Sequence, residues 1–158
     1  MNMKTCGIIA EYNPFHQGHI YHIQKTKELT QCDCLIAIVS NHFTQRGLFN
    51  LLTMEDKTKL ALEAGCNLVI ELPPCYAAQS ADYFAKYAVE SLSQLHIDQI
   101  CFGSETNNIS TLKEYSKQME STQVVPSLSM NQNLYTKNIR PNDILGIQYI
   151  KQCEKYGI

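Results

Sequence analysis

The stretch CGIIAEYNPFHQGHIYHIQ, residues 6–24, decides the fold because it joins a short apolar run to a helix through a turn. The run CGIIAEY predicts a buried first strand that ends at Tyr12. Asn13-Pro14 then turns the chain, because proline disfavours helical geometry in the residue before it. A helix is predicted over residues 18–29, with its start close to His16. The stretch therefore indicates the first strand–turn–helix unit of an α/β domain.

Three more apolar runs follow, and stretches of helical period separate them. They predict strands over residues 34–40, 67–72 and 98–104. Helices are predicted from Thr53 to Gly65, over residues 79–95 and 110–119, and from Arg140 onward. Core-facing stripes are expected at Phe84, Ala88, Leu92 and Leu95 and at Ile144, Ile147 and Ile150. Apolar strands that alternate with helices are typical of a parallel sheet covered on both faces, so we expect an α/β, doubly wound parallel sheet flanked by helices.

The composition limits the class of protein. With 158 residues, 44% of them hydrophobic, the chain is long enough for one compact domain and short for two. It has no run of about eighteen apolar residues and no convincing signal peptide, so we expect a cytoplasmic protein without a membrane partner. The net charge of −2 does not point to nucleic acid. The chain beyond residue 112 is mildly basic, with six Lys/Arg against four Asp/Glu, which is weak evidence for a polyanionic partner.

Seven cysteines are scattered along the chain, an odd number that argues against a disulfide framework. Most lie within apolar runs and are expected to be buried thiols. Cys32 and Cys34 are separated by one residue, which is neither the spacing of a zinc site nor that of a redox pair. No metal site is predicted.

The loop after the first strand is the predicted ligand site, because ligands of open parallel sheets bind beyond the carboxyl ends of the strands. A helix that begins near His16 offers free backbone N–H groups and its positive dipole end there, which favours an anion. His16 and His19 are three residues apart, so both project from the first turn and can donate hydrogen bonds to phosphate oxygens. Gly18 is expected to keep the surface facing a nucleotide free of a side chain.

Two other interpretations of the histidines stay open. They could be inert residues at helical spacing, or two of them could bind a metal, although helical metal pairs usually have i, i+4 spacing and no third ligand is evident in the sequence. His22, on the second turn, is expected to be structural.

The motif His16-Gln17-Gly18-His19 resembles the HxGH signature of the HIGH-type nucleotidyltransferase superfamily, whose Rossmann-like sheet is of the HUP type. The longer string GIIAEYNPFHQGHIYHI is similar to that of the bacterial tRNA(Met) cytidine acetate ligases. Further matches are Gln45-Arg46-Gly47, NLVIELP at 67–73, FGSE at 102–105 and PNDILG at 141–146. These segments extend from residue 7 to about residue 150, so residues 1–158 are expected to form a single nucleotidyltransferase-like ATP-binding domain.

The resemblance implies an enzyme that forms acetyl-adenylate from ATP and acetate and then acetylates the wobble cytidine of elongator methionine tRNA. Mg²⁺ is expected with the nucleotide, although no carboxylate cluster marks its site. His16 and His19 are the implied catalytic residues, and Arg46 is a candidate contact for phosphate or tRNA. The implied ATP-binding residues are Ile9, Ala10, Glu11, Tyr12, Asn13, Pro14, Phe15, His16, Gln17, Gly18, His19, Ile20, Tyr21, His22, Gly103 and Asn142.

Members of that family continue into a further strand, a second phosphate motif with Ser and Arg, and helices that help to hold tRNA. We therefore expect the family's C-terminal part to be missing here, and a loop or a deletion over residues 121–138. Two alternatives are a non-catalytic nucleotide- or RNA-binding paralogue and an adenylyltransferase of cofactor biosynthesis. The second would share HxGH but is not expected to share the matches at 102–105 and 141–146.

Overall fold

The computed structural model describes residues 3–121 and 139–158, with the backbone alone for 119–121. The elements follow one another as β1 (Thr5–Ala10), α1 (Gln17–Thr30), β2 (Cys34–Ser40), α2 (Met54–Ala64), β3 (Leu68–Leu72), α3 (Pro74–Ala77), α4 (Ala81–Ser93), β4 (Gln99–Ile100), α5 (Ile109–Ser121) and α6 (Pro141–Tyr156). None of the helices in these two ranges is long and apolar enough to cross a bilayer. The loop or deletion expected over 121–138 lies outside the described residues, apart from Ser121, which ends α5.

The four strands form one parallel sheet in the order β3-β2-β1-β4. β1 pairs with β2 from Thr5 opposite Cys34 to Ala10 opposite Val39. The direction of strand addition reverses between β1 and β4, and ligands of doubly wound sheets bind at this reversal, beyond the carboxyl ends of the strands. The predicted fold is confirmed.

Two apolar cores cover the two faces of the sheet. Alternate residues of β2 enter them, with Ile36 and Ile38 on one side and Leu35, Ala37 and Val39 on the other. The first core is completed by α4 and α6, and the second by α1 and α2. The uninterrupted apolar run of β2 therefore reflects a strand that is buried on both faces.

Local sequence signals fix several helix ends. The Thr53 hydroxyl accepts the N–H of Asp56 at 3.1 Å and starts α2, and Gly65 ends it in the left-handed region at φ 119°. Pro141 occupies the first turn of α6, after the N-cap residue Arg140. The predicted stripe of Ile144, Ile147 and Ile150 is buried.

Two predicted strands are too long. β1 ends at Ala10 rather than Tyr12, because Tyr12 has a left-handed backbone with φ 50°. β4 covers only Gln99–Ile100 instead of 98–104. Among the described residues it pairs only with β1, and the next residues turn toward α6, where Phe102 packs on Tyr149 with ring centroids 5.6 Å apart.

The helix predicted over 79–95 is present as α4, but its predicted ends are wrong, since α4 covers Ala81–Ser93. The short helix α3, which begins at Pro74, precedes it and was not predicted. Leu95 lies beyond the end of α4 and is 39% exposed, so it is not part of the buried stripe of Phe84, Ala88 and Leu92. Cys75, on the surface turn α3, is exposed and not a buried thiol as expected.

Gly146 allows α6 to pack closely against the chain that follows β4. A Cβ atom added at Gly146 would lie 2.6 Å from Cε2 of Phe102, which is too close for any real contact. Gly103, one residue after Phe102, has no heavy atom within 4 Å of an added Cβ.

We predict that Gly146→Val lowers the free energy of unfolding by about 1–3 kcal/mol, because the new side chain overpacks against Phe102. The matched variant Gly103→Val enters open space and is expected to change the free energy by no more than about 0.5 kcal/mol. Urea denaturation of both variants tests this, and equal stabilities would contradict it.

Candidate functional site

The rings of His16 and His19 both cap backbone N–H groups at the first turn of α1. The backbone of His16 is extended, and its Nδ1 accepts the N–H of Gly18 at 3.1 Å. Nδ1 of His19 in turn accepts the N–H of His16 at 3.2 Å. This is the reciprocal arrangement of a capping box, with imidazoles in place of the usual hydroxyl and carboxylate.

The prediction of free backbone N–H groups at this helix end is therefore wrong for three of them. The N–H groups of His16 and Gly18 donate to imidazoles, and that of His19 donates to the His16 carbonyl at 2.9 Å. Because Nδ1 of each ring accepts a hydrogen bond, each neutral ring carries its proton on Nε2. The donors available to an anion are thus the Nε2–H groups of His16 and His19.

The two rings are stacked and of unequal burial. Their centroids are 3.9 Å apart, and the ring of His19 also packs edge-on against Tyr12 at 4.9 Å. Burial, together with the neighbouring His16 and His22, lowers the pKa of His19 to about 4. At neutral pH His19 is consequently an uncharged hydrogen-bond donor.

Gly18 leaves space for the ring of His16. A Cβ added at Gly18 would lie 2.9 Å from Cε1 of His16. The absence of a side chain at Gly18 makes room for the capping ring, which is a different reason from the open nucleotide-facing surface that the sequence suggested.

The β1–α1 loop (residues 11–16) is bound to the β2–α2 loop (residues 41–53). Oδ1 of Asn13 accepts the N–H of Leu51 at 2.6 Å, and Nδ2 of Asn13 donates to the carbonyl of Phe49 at 3.4 Å. The carboxylate of Glu11 accepts the N–H of Gln45. The Gln45-Arg46-Gly47 segment is thereby attached to the loop after β1, with Arg46 exposed beside Gly47.

Lys57 is a residue of this site that the sequence did not single out. Its side chain is fully buried, and Nζ donates to the carbonyl of Glu11 at 2.7 Å and to that of Ser40 at 2.9 Å. Burial lowers the pKa of Lys57 to about 8, against the opposing effect of the Glu11 carboxylate. A lysine in an amphipathic helix is ordinarily solvated, so its type and spacing carried no signal of this position.

In doubly wound sheets the ligand crevice lies between the loops on the two sides of the strand reversal. Here the second side is the β4–α5 loop (residues 101–108) with the start of α6. The carboxylate of Glu105 accepts the N–H groups of Asn142 at 3.3 Å and Asp143 at 3.0 Å. The loop that carries Gly103 is therefore attached to the helix end that carries Asn142. Gly103 and Asn142 are both exposed. Burial and then the Glu11 carboxylate raise the pKa of Tyr149, a residue of α6.

The remaining predicted site residues differ in exposure. Ile9 and Ala10, at the end of β1, are half-buried, and Phe15 packs on Tyr12 with ring centroids 4.8 Å apart. The other positions before the second turn are the exposed Pro14 and Gln17 and the half-buried Ile20. Tyr21 is exposed. Nε2 of His22, in contrast, is buried, and burial lowers the pKa of that ring, which favours the structural interpretation of His22.

Within residues 3–121 and 139–158, no group of three His, Cys, Asp or Glu side chains is placed to hold a metal ion.

Residues 3–158 match the family described as HIGH Nucleotidyl Transferase. The chain belongs to this family. The membership predicted from the sequence is thereby confirmed. His16 and His19, whose rings cap the first turn of α1, are the two histidines of the HxGH motif in this HIGH nucleotidyltransferase.

Individual relatives agree with the family match. The HIGH nucleotidyltransferase chain is 41% identical over 169 residues to a tRNA(Met) cytidine acetate ligase of Geobacillus sp. (strain WCH70), covering 94% of this chain and 42% of the relative. It is 38% identical over 170 residues to the protein of that name from Bacillus subtilis (strain 168), covering 94% and 41%. The crystal structure of Thermotoga maritima TmcAL bound with alpha-thio ATP superimposes with a TM-score of 0.87 at 31% identity, covering 98% of this chain and 44% of that one. The chain thus spans about two-fifths of the length of the curated relatives it matches.

The low pKa of His19 predicts a pH-dependent stability of this nucleotidyltransferase domain. Between the ordinary value of 6.5 and about 4, the unfolded chain binds a proton at His19 that the folded chain does not. Stability is therefore full above pH 6.5 and falls as the pH decreases toward 4, by on the order of 1 kcal/mol between pH 7 and pH 5 after allowance for solvent screening.

His19→Gln retains an acceptor at the third helical position, which a capping box uses, but does not titrate. Urea denaturation at pH 7 and pH 5 should show a smaller pH-dependent loss of stability for this variant than for the wild type. His96→Asn, an exposed control at a left-handed position that Asn tolerates, should keep the full dependence. An unchanged pH dependence in His19→Gln would refute the assignment.

Proposed function

We propose that this chain carries the ATP-binding and adenylation site of a tRNA(Met) cytidine acetate ligase. The observation that supports this best is the pair of imidazoles of His16 and His19, whose Nδ1 atoms are occupied and whose Nε2–H groups remain as donors, at the start of a helix beyond the carboxyl end of β1. Imidazole N–H donors held at a helix N-terminus suit a polyphosphate. The names of the relatives, and the ATP analogue bound in the Thermotoga maritima structure, support the same assignment.

The first chemical step needs no protein nucleophile. A carboxylate oxygen of acetate attacks the α-phosphorus of ATP, the bond from that phosphorus to the bridging oxygen breaks, and pyrophosphate leaves with the electron pair. In the second step the exocyclic amine of cytidine attacks the acyl carbon of acetyl-adenylate, AMP leaves, and the amine loses a proton. Catalysis then consists of positioning and of stabilising the charge that develops on phosphate oxygens.

His16 and His19 are the proposed catalytic residues, with their Nε2–H groups as the donors to the triphosphate. Gly103 and Asn142 would approach the nucleotide from the other side of the crevice. Mg²⁺ would enter bound to the phosphates, since it commonly keeps several waters and shares substrate oxygens. The proposed partners are acetate and elongator methionine tRNA in the cytoplasm, with Arg46 as an exposed candidate contact to phosphate or RNA.

The matches at 102–105 and 141–146 favour the acetate ligase over an adenylyltransferase of cofactor biosynthesis. The two segments contact each other, Phe102 with Gly146 and Glu105 with the backbone of Asn142 and Asp143. The resemblance therefore includes one packed unit of the crevice as well as the HxGH motif.

Acetate-dependent exchange of labelled pyrophosphate into ATP tests the proposal. Exchange that requires acetate supports adenylation. Stabilisation by ATP without exchange would favour the non-catalytic paralogue. Exchange that ignores acetate and requires nicotinate or pantetheine phosphate would favour the cofactor-biosynthesis enzyme.

We predict that His16→Asn and His19→Gln each lower the rate of acetate-dependent exchange by about 100-fold or more, because each removes one imidazole Nε2–H donor. Asn and Gln are good residues at the N-cap and third helical positions, so the helix start is retained. His96→Asn is the control that should keep the wild-type rate. Wild-type exchange in both site variants would remove the histidines from the mechanism.

A further inference from the structure

A buried ammonium joins two strand ends next to the HxGH turn. Nζ of Lys57 reaches from α2 to the carbonyl of Glu11, the first residue after β1, and to that of Ser40, the last residue of β2. The side chain is 0% exposed, and Lys57 forms no ion pair with any described residue. Two neutral carbonyls bind an ammonium that is withdrawn from water, and the Glu11 carboxylate also favours its charged form.

Packing alone does not account for a lysine at this position. Burial of an ammonium is unfavourable unless hydrogen bonds compensate, and an apolar side chain of similar volume would usually fill such a space at less cost. What an apolar side chain would not do is fix the peptide group between Glu11 and Tyr12.

The orientation of that peptide group bears directly on the histidines. Tyr12 follows it with a left-handed backbone at φ 50°, and its buried ring packs edge-on against His19 at 4.9 Å. The bond to Ser40 ties the same ammonium to the start of the β2–α2 loop. Nδ2 of Asn50, in that loop, also donates to the Ser40 carbonyl at 3.3 Å. Lys57 is thus connected to the ring of His19 through one peptide group and one aromatic contact.

We infer that Lys57 is a positioning residue of the nucleotide site, which holds the Glu11–Tyr12 peptide and thereby the ring of His19 in the orientation that ATP requires. The inference rests on the proposed function. It assigns to Lys57 an effect on ATP affinity that is separate from its effect on stability.

Lys27 supplies a matched control. Its Nζ also donates to a backbone carbonyl, that of Gly65 at 3.0 Å. Gly65 precedes β3, so this bond lies toward the amino-terminal end of the parallel sheet, away from the HxGH turn. Lys27→Met and Lys57→Met each remove one ammonium, but only Lys57→Met removes a hydrogen bond to the loop after β1.

Isothermal titration of the chain with ATP and Mg²⁺ tests the inference, with thermal unfolding measured in parallel. Both variants are expected to lose stability, but only Lys57→Met should raise the Kd for ATP, by about tenfold or more, while Lys27→Met stays within about twofold of the wild type. Lys57→Arg keeps a cationic donor and is expected to recover part of the affinity. A Kd for folded Lys57→Met within about twofold of the wild type would overturn the inference and leave the proposed function intact.

The wild type decides the matter if Lys57→Met does not fold. The ¹⁵Nζ resonance of the buried Lys57 ammonium should shift when ATP binds, because the peptide that it holds lies in the nucleotide turn, whereas that of Lys27 should not. ATP binding with no shift at Lys57 would overturn the inference. No ATP binding by the wild type would instead overturn the proposed function, and the inference with it.

Discussion

The hydrogen bonds by which the rings of His16 and His19 cap the start of α1 are the interaction on which the rest of the site depends. Each imidazole uses Nδ1 to accept a backbone N–H, and this fixes the tautomer, the ring orientation and the start of α1 together. The rings are stacked in van der Waals contact, so neither can rotate without breaking a cap. The caps thereby hold the two imidazole Nε2–H groups in fixed orientations. Donors held in this way do not need to reorganise when negative charge develops.

The sheet places this turn where a second set of residues can approach it. Since β4 lies on the side of β1 opposite to β2, the loop after β1 has the β2–α2 loop on one side and the β4–α5 loop with the start of α6 on the other. Hydrogen bonds of Asn13 and Lys57 join the β1–α1 loop to the first side. A hydrogen bond of Glu105 and the packing of Phe102 join the β4–α5 loop to α6 on the second. The matched motifs thus lie in the segments on the two sides of β1, which explains why they are spread along the chain.

The sequence predicted best what local chemistry determines. Thr53, Gly65 and Pro141 mark helix ends by their own backbone preferences, and the apolar run of β2 needs no partner to be recognised. The position and HxGH character of the turn were predicted for the same reason. The spacing of His16 and His19 is that of a capping box, so the imidazole caps could have been suspected from sequence.

Non-local contacts explain what the sequence did not predict. β4 ends where the chain turns toward α6 and Phe102 packs on Tyr149, and the exposure of Leu95 follows from the end of α4 at Ser93. The burial of Lys57 depends on two carbonyls, those of Glu11 and Ser40, which lie 46 and 17 residues away along the chain. Nothing in the type or spacing of these residues reports such distances.

The carboxylate of Glu105 distinguishes the N-terminus of α6 from that of α1. It already occupies the N–H groups of Asn142 and Asp143, so the positive pole of the α6 dipole is neutralised by the protein's own anion. The start of α1 has no acidic residue in its first turn, and its side-chain caps are imidazole nitrogens. The start of α1 therefore keeps a dipole that no bonded carboxylate offsets, whereas the start of α6 does not.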